Sequence, residues 1–157
     1  NEYQQIRRAT RKDIRTIMVL IRQAIKTEEL SMRTYQDVES RIQDYYLFEI
    51  DGHAVGCVAL HLSEDKSSGE LACLFVTCHY ENRGIGRKLI GFIEERARAL
   101  KLTKIIVLST QTYTYFKSKG GFVEGSQEDL TPERLEKYHQ SKRRSRILVK
   151  HLEENKN

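Results

Sequence analysis

The spacing of hydrophobic residues changes several times along the chain between a helical and a strand period. A short strand is predicted over residues 6–10, and Asp13 then precedes a helix whose apolar residues recur every three or four positions. A second, shorter helix is predicted over 35–43. The stretch DYYLFEIDGHAVGCVALHLSE follows, and its Asp51-Gly52 pair predicts a tight turn between two strands.

The second half of the chain continues with SSGELACLFVTC, a third apolar strand, and with the glycine-containing turn ENRGIG. A helix is predicted over 86–100, and KIIVLST has the unbroken β-branched run of a strand buried on both faces. A helix over 112–119 ends at Gly120 and Gly121, GFVEGSQED begins a strand, Pro132 opens a short helix, and SRILVKHL alternates as the last strand. This order predicts an α+β fold with a sheet layered by helices.

Composition narrows the class of protein. The 157 residues are 39% hydrophobic and 31% charged, which predicts one soluble globular domain over 1–157. The longest apolar run, LACLFV, is too short to cross a bilayer, and the N-terminal stretch lacks the apolar core of a signal peptide, so we expect a cytoplasmic protein without a membrane partner. Because the chain begins at Asn1 rather than Met, we also expect a piece of a longer protein.

Charge and cysteines indicate the chemistry of the partners. Lys and Arg number 27 against 22 Asp and Glu, which favours anionic partners without choosing among cofactor phosphates, carboxylates and nucleic acid. Cys57, Cys73 and Cys78 lie in apolar runs, so we expect three buried thiols in a reducing compartment. With His79, the last two match no common zinc spacing, and no metal is predicted.

The glycine turn has two interpretations. Its stretch RGIGRKL combines two glycines with Arg83, Arg87 and Lys88 at the start of a helix, where unpaired N–H groups and the helix dipole suit a phosphate. Glycines also serve tight turns from strand to helix, without any ligand. The turn lacks the Gly-Lys-Ser/Thr of a nucleoside-triphosphatase loop and the third glycine of a dinucleotide fingerprint, so neither of those classes is indicated.

In its context, the turn resembles the coenzyme A site of the GNAT superfamily of N-acetyltransferases, in which it reads Gln/Arg-x-x-Gly-x-Gly/Ala. Here it reads ENRGIG, and Glu81 departs from the pattern; we expect its side chain to point away from the pyrophosphate. The resemblance implies a GNAT-type mixed, largely antiparallel central sheet of about six to seven strands flanked by helices. It also implies acetyl-CoA as cosubstrate. The cofactor-binding residues implied are Leu74, Phe75, Val76, Arg83, Gly84, Ile85, Gly86, Arg87 and Phe116.

Three further stretches, GELACLFV, VLSTQTYTYFKSKGGF and YHQSKRRSRILVKHL, look like the acetyltransferase domain of the N-acetylglutamate synthases. That resemblance implies acetyl transfer to the α-amine of L-glutamate, the first step of arginine biosynthesis. It implies Glu70 as general base and Ser109 as proton donor to the leaving thiolate. It assigns glutamate binding to Arg33, Arg143 and Ser145.

From the residues alone, other interpretations stay open. Glu70 could be a solvated strand-edge carboxylate, Ser109 a helix cap, and the basic run 142–146 a solvated face or a nucleic-acid patch, although we predict no nucleic-acid partner. Phe116 stands where many GNAT enzymes have a donor tyrosine, which leaves Tyr113 and Tyr115 as reserve donors.

Rival functions also stay open. One is a GNAT enzyme with another amine acceptor, and the other is a catalytically idle sensor that binds acetyl-CoA. The family often carries an amino-acid kinase domain upstream, so the chain is expected to be a free-standing form or a domain from a fusion, and a homo-oligomer is compatible with either.

Overall fold

A computed structural model describes residues 2–26, 33–141 and 143–152. Within these ranges, seven strands form one sheet in the order β1-β2-β3-β4-β5-β7-β6. The strands are β1 (Gln4–Arg8), β2 (Tyr45–Ile50), β3 (His53–Leu62), β4 (Ser68–Val76), β5 (Lys104–Ser109), β6 (Val123–Glu124) and β7 (Arg146–His151). The helices are α1 (Ile14–Lys26), α2 (Tyr35–Ser40), α3 (Ile85–Ala99), α4 (Tyr113–Gly120) and α5 (Pro132–Gln140). The predicted α+β fold with a mixed, largely antiparallel sheet is confirmed.

The sheet separates at its centre. β4 and β5 form its parallel pair, and their pairing extends only from Ser68 to Glu70 on β4, opposite Lys104 to Ile106 on β5. Beyond it, the register of β3 and β4 shifts, and Cys73 has a φ of 56°, which marks a bulge in β4. The bulge turns the end of β4 away from β5, so the two strands leave a gap between their carboxyl ends.

Helices cover both faces of the sheet. On one face, α3 and α4 pack their apolar residues, among them Leu89, Ile93 and Phe116, on a core with Leu60 and Leu71. On the other face, α1 packs through a second core with Ala59 and Ala72, and α5 packs through Leu135 on a third core with Ile106. Because strand side chains alternate between faces, Glu70 lies on the same face as Ala72, together with α1 and α5.

The differences from the sequence prediction are local. β1 and α2 end earlier than predicted, and a 3₁₀ turn, Ile42–Asp44, follows α2. Asp13 does not stand directly before the helix as its cap: it ends a 3₁₀ turn, and its carboxylate accepts the backbone N–H of Thr10 at 2.7 Å. β6 is only two residues long because Gly125 ends it and a 3₁₀ turn follows.

The cysteine prediction is wrong for one of the three thiols. Cys57 and Cys73 are buried, and the Cys57 thiol donates to the Cys73 carbonyl at 3.3 Å. Cys78 is exposed, because it lies in a 3₁₀ turn that leaves the sheet after β4.

The described residues lack two kinds of feature. No helix in this part of the chain has the length and apolar character needed to span a membrane. The same residues contain no group of three or more His, Cys, Asp or Glu side chains arranged to hold a metal ion.

Candidate active site

A cavity of about 530 Å³ opens where β4 leaves β5. It runs from the end of β4, over the glycine turn, to α4. Among the described residues, the lining includes each residue predicted for the cofactor except Arg83. The Arg83 guanidinium instead donates to Glu2 at 2.6 Å and lies 5.2 Å from the centre of the Tyr80 ring. The additional lining residues are Tyr80, Glu81, Asn82, Thr112, Tyr115 and Lys119.

The glycine turn gives this cavity a site for an anion. Gly84 has a φ of 79° as the N-cap of α3, a left-handed conformation that glycine adopts without strain. No side chain of the described residues caps this helix, so the N–H groups of its first turn remain available to a phosphate. Arg87 and Lys119 add positive charge to the lining and Glu81 adds one negative charge, so Glu81 borders the cavity, and the expectation that its side chain points away from the pyrophosphate stays a prediction. The turn therefore fits the pyrophosphate of a coenzyme A.

Tyr115, which the sequence offered only as a reserve donor, lies against this turn. Its hydroxyl occupies the space that a Cβ at position 86 would need, so a larger residue in place of Gly86, in the first turn of α3, would have to displace the Tyr115 side chain or the backbone. Burial raises the pKa of Tyr115 above its ordinary value. The other reserve donor, Tyr113, packs against the Arg146 guanidinium at 4.1 Å from its ring centre.

A second cavity, of about 320 Å³, lies beside Glu70. Four cationic and two carboxylate side chains line it, so the lining has an excess of two positive charges when histidine is neutral. The charged residues are Arg33, Asp37, Arg41, Glu70, Arg134 and Lys137, and Ser40, Tyr45 and His61 complete the lining.

Arg134 holds the Glu70 carboxylate. Its Nε donates to Oε1 at 2.6 Å and its Nη2 donates to Oε2 at 3.3 Å, which is a bidentate ion pair between α5 and β4. The sequence analysis missed Arg134, Arg41, His61 and Lys137. Arg134 and Glu70 stand 64 positions apart, and nothing in the pattern of α5 marks that arginine for this contact.

Arg33 is near enough to Arg143 for its charge to act on that guanidinium. Burial and the positive charge of Arg33 lower the pKa of Arg143. The Arg143 guanidinium donates to the Thr110 hydroxyl at 3.3 Å. Ser145, the third residue predicted for glutamate, accepts through its carbonyl a hydrogen bond from the Tyr138 hydroxyl at 2.8 Å. Of the three, Arg33 lines the second cavity.

Ser109 is buried at the end of β5, with 5% of its surface exposed. Its hydroxyl accepts the backbone N–H of Thr112 at 2.9 Å and lies 2.9 Å from the Thr112 hydroxyl. The N-cap of α4 is Thr112, so Ser109 binds the residue before the helix and is not itself the helix cap. Thr112 is the member of this pair that lines the first cavity.

The chain is similar to acetyltransferases of known sequence and structure. Its residues 11–118 match the Acetyltransferase (GNAT) family. It is 33% identical over 147 residues to an amino-acid acetyltransferase of Neisseria meningitidis, and 34% identical over 151 residues to one of Pseudomonas aeruginosa. These alignments cover 94% and 96% of the chain and 34% of each relative.

Among solved structures, the N-acetylglutamate synthase of Neisseria gonorrhoeae, complexed with coenzyme A and N-acetyl-glutamate, superposes with a TM-score of 0.91 and 32% identity. That comparison covers 96% of this chain and 35% of the synthase. The chain thus spans about a third of the length of these relatives. With more than half of its residues matched by the family, the chain belongs to the GNAT acetyltransferases.

Proposed function

We propose that this chain transfers the acetyl group of acetyl-CoA to the α-amine of L-glutamate, as in the first step of arginine biosynthesis. The observation that carries the proposal is the pair of cavities beside β4. One has the glycine turn and the open end of a strand, and the other has four cationic side chains against the two carboxylates of Asp37 and Glu70. The similarity to amino-acid acetyltransferases, and to a synthase complexed with N-acetyl-glutamate, supports this choice of acceptor.

The charges of the second cavity are complementary to those of glutamate. An amino acid with two carboxylates and one ammonium group needs cations for the first two and an anion for the third. Arg33 and Arg143 are the proposed partners of a carboxylate, with Ser145 beside them, since a planar guanidinium binds a carboxylate through two parallel hydrogen bonds. Glu70 is the proposed partner of the ammonium group, whose proton must leave before the nitrogen can attack.

The acetyl group would be held at the end of β4. Leu74, Phe75 and Val76 line this end of the first cavity, and the backbone N–H groups of this stretch that are not paired with β3 are the proposed donors to the oxygen that becomes negative during attack. The departing thiolate is proposed to receive its proton from Ser109. Because Ser109 is hydrogen-bonded to Thr112, and Thr112 lines the cavity, that proton can pass between the two hydroxyls.

An acceptor panel tests the proposal. The purified chain is incubated with acetyl-CoA and, in turn, glutamate, aspartate, glutamine, glycine, spermidine and a peptide with a free N-terminus, and the release of coenzyme A thiol is measured. We expect glutamate to give the highest kcat/KM, with glutamine lower because it lacks the second carboxylate. If the kcat/KM for glycine or spermidine equals that for glutamate, the proposal of glutamate as the acceptor is wrong. If no acceptor releases thiol while acetyl-CoA binds, the chain is a binding domain.

Location and partners belong to the same proposal. Free thiols at Cys57 and Cys73 suit a reducing compartment such as the cytoplasm. A fusion with another domain of the pathway stays a prediction, and so does a homo-oligomer. Gel filtration of the longest natural chain would test the oligomeric state.

A further inference from the structure

His61 is the titratable residue beside Glu70 that the sequence analysis did not use. The antiparallel pairing of β3 and β4 places the two residues directly opposite each other, on the same face of the sheet. His61 lines the cationic cavity together with Glu70, and only 10% of its side chain is exposed. It therefore lies within reach of an amine that Glu70 holds.

Asp44 fixes the orientation of this ring. The Asp44 carboxylate, in the 3₁₀ turn after α2, lies 2.8 Å from His61 Nδ1. Tyr45 packs against the ring edge-on, with the two centres 5.7 Å apart. A carboxylate on Nδ1 favours the tautomer with its hydrogen there, which leaves the lone pair on Nε2. Nε2 is thus the ring nitrogen that can accept a proton in the cavity.

Glu70 is less available as a proton acceptor than its position suggests. Both of its oxygens are already engaged by Arg134. An ammonium ion can still contact them, because a carboxylate accepts several hydrogen bonds. The same two oxygens also hold the ion pair with Arg134. An imidazole is also a stronger base than a carboxylate and so a closer match for an ammonium proton.

We propose that His61, oriented by Asp44, is the proton acceptor of the acetyl transfer. Glu70 binds the ammonium group, and one N–H bond breaks as its proton moves to His61 Nε2. The freed electron pair forms the new C–N bond to the acetyl carbon, and the bond from that carbon to sulfur breaks. The second proton lost by the nitrogen ends on the thiolate, and His61 releases the first to solvent, so protons and electrons balance.

Several charged groups on neighbouring elements lie around His61. Besides Asp44, they are Arg33, Asp37, Arg41, Glu70, Arg134 and Lys137.

The role of His61 rests on the proposed function only because it needs an amine that accepts the acetyl group. The test below separates a failure of this role from a failure of the proposed acceptor. His61→Asn and Asp44→Asn are compared with wild type in kcat/KM for glutamate between pH 5.5 and 9, and acetyl-CoA binding is measured for each. We expect His61→Asn to lose about 100-fold and Asp44→Asn about tenfold, with acetyl-CoA affinity unchanged. We expect the kcat/KM of wild type to fall at low pH, and this fall should disappear in His61→Asn.

His53, an exposed histidine at the start of the same strand, provides the matched control, and His53→Asn should stay within about twofold of wild type. Added imidazole should restore part of the activity of His61→Gly, which a purely structural role would not allow. Activity of His61→Asn close to that of His53→Asn overturns the proposal, as does a loss that imidazole does not restore.

If wild type acetylates an amine other than glutamate, the same variants are compared with that acceptor. In that case only the proposed acceptor is wrong, and the rates of the variants with the new acceptor test the role of His61. If wild type acetylates no amine, the proposed function and the role of His61 both fall.

Discussion

At the scale of single residues, the ion pair of Glu70 with Arg134 decides what the carboxylate contributes. Glu70→Gln keeps the shape of the side chain and removes the charge that binds an ammonium group. We expect kcat to fall about 100-fold or more, while the Kd for acetyl-CoA, measured by calorimetry, stays within about twofold.

The control for this change is Glu95→Gln, which alters an exposed carboxylate on α3 and should leave both quantities unchanged. A Glu70→Gln enzyme as active as wild type would show that this carboxylate has no part in the reaction. The opposite pattern, weaker acetyl-CoA binding at unchanged kcat, would place Glu70 in the cofactor site.

Arg143 tests the carboxylate clamp. Its burial beside Arg33 is costly for two like charges, and a bound carboxylate would offset that cost. Arg143→Ala is expected to raise the KM for glutamate by about 10- to 100-fold and the KM for acetyl-CoA by less than about twofold. The neighbouring, exposed Arg144 provides the control Arg144→Ala, for which neither constant should change. Equal increases in both constants with Arg143→Ala would argue against a clamp.

At the scale of elements, the sequence predicted the strands and helices well where a period or a turn signal was strong. The Asp51-Gly52 turn, the bounds of α3 and the buried run of β5 follow directly from such signals. The bulge in β4 could not be predicted, because Cys73 adopts a positive φ that its residue type does not favour and the packing of the sheet imposes. That bulge opens the cofactor cavity.

The contact of α4 with the start of α3 gives a prediction about Gly86. A Cβ at this position would collide with the Tyr115 hydroxyl, so Gly86→Ala must displace either that ring or the turn. We expect the KM for acetyl-CoA to rise about tenfold, measured by thiol release at saturating glutamate.

Gly91, in the same helix, provides the matched control, since a Cβ there meets nothing within 4 Å. Gly91→Ala should leave the KM unchanged and add up to about 1 kcal/mol to the free energy of unfolding. Tyr115→Phe combined with Gly86→Ala should recover most of the lost affinity, because the colliding oxygen is gone. A double variant no better than Gly86→Ala would refute the proposed collision.

At the scale of the whole molecule, the candidate site depends on contacts between elements that are far apart in the chain. The resemblance to a family located the glycine turn, Glu70 and the arginines, because each belongs to a local motif. It could not locate Arg134 or His61, whose contacts with Glu70 or positions beside it arise only when α5 and β3 meet β4 in the folded sheet. The same holds for the contact of Arg83 with Glu2, which lies before β1.

A network at the edge of the sheet couples the stability of the whole domain to pH. The Arg7 guanidinium of β1 donates to both oxygens of Asp13 at 2.8 Å and to Glu49 of β2 at 3.1 Å. Its hydrogen bonds lower the pKa of Asp13 to about 2. The folded state therefore binds fewer protons than the unfolded chain between about pH 4 and pH 2. The stabilisation is complete above that window and disappears as the pH falls through it.

Asp13→Asn removes this stabilisation at neutral pH. In acid the same change should alter the free energy of unfolding little, because the ion pair of the wild type is then already lost. Urea unfolding at pH 7 should give the variant a free energy of unfolding about 1 kcal/mol below that of wild type, a modest value because water screens the partly exposed Arg7. The gap should narrow as the pH falls to about 2, since Asp13 of the wild type then becomes protonated. Glu95→Gln, changed on the exposed side of α3, should follow wild type at each pH. A gap of the same size at pH 2 and pH 7 would mean that Asp13 stabilises the fold through packing or its bond to Thr10, and that the charge of Arg7 contributes nothing.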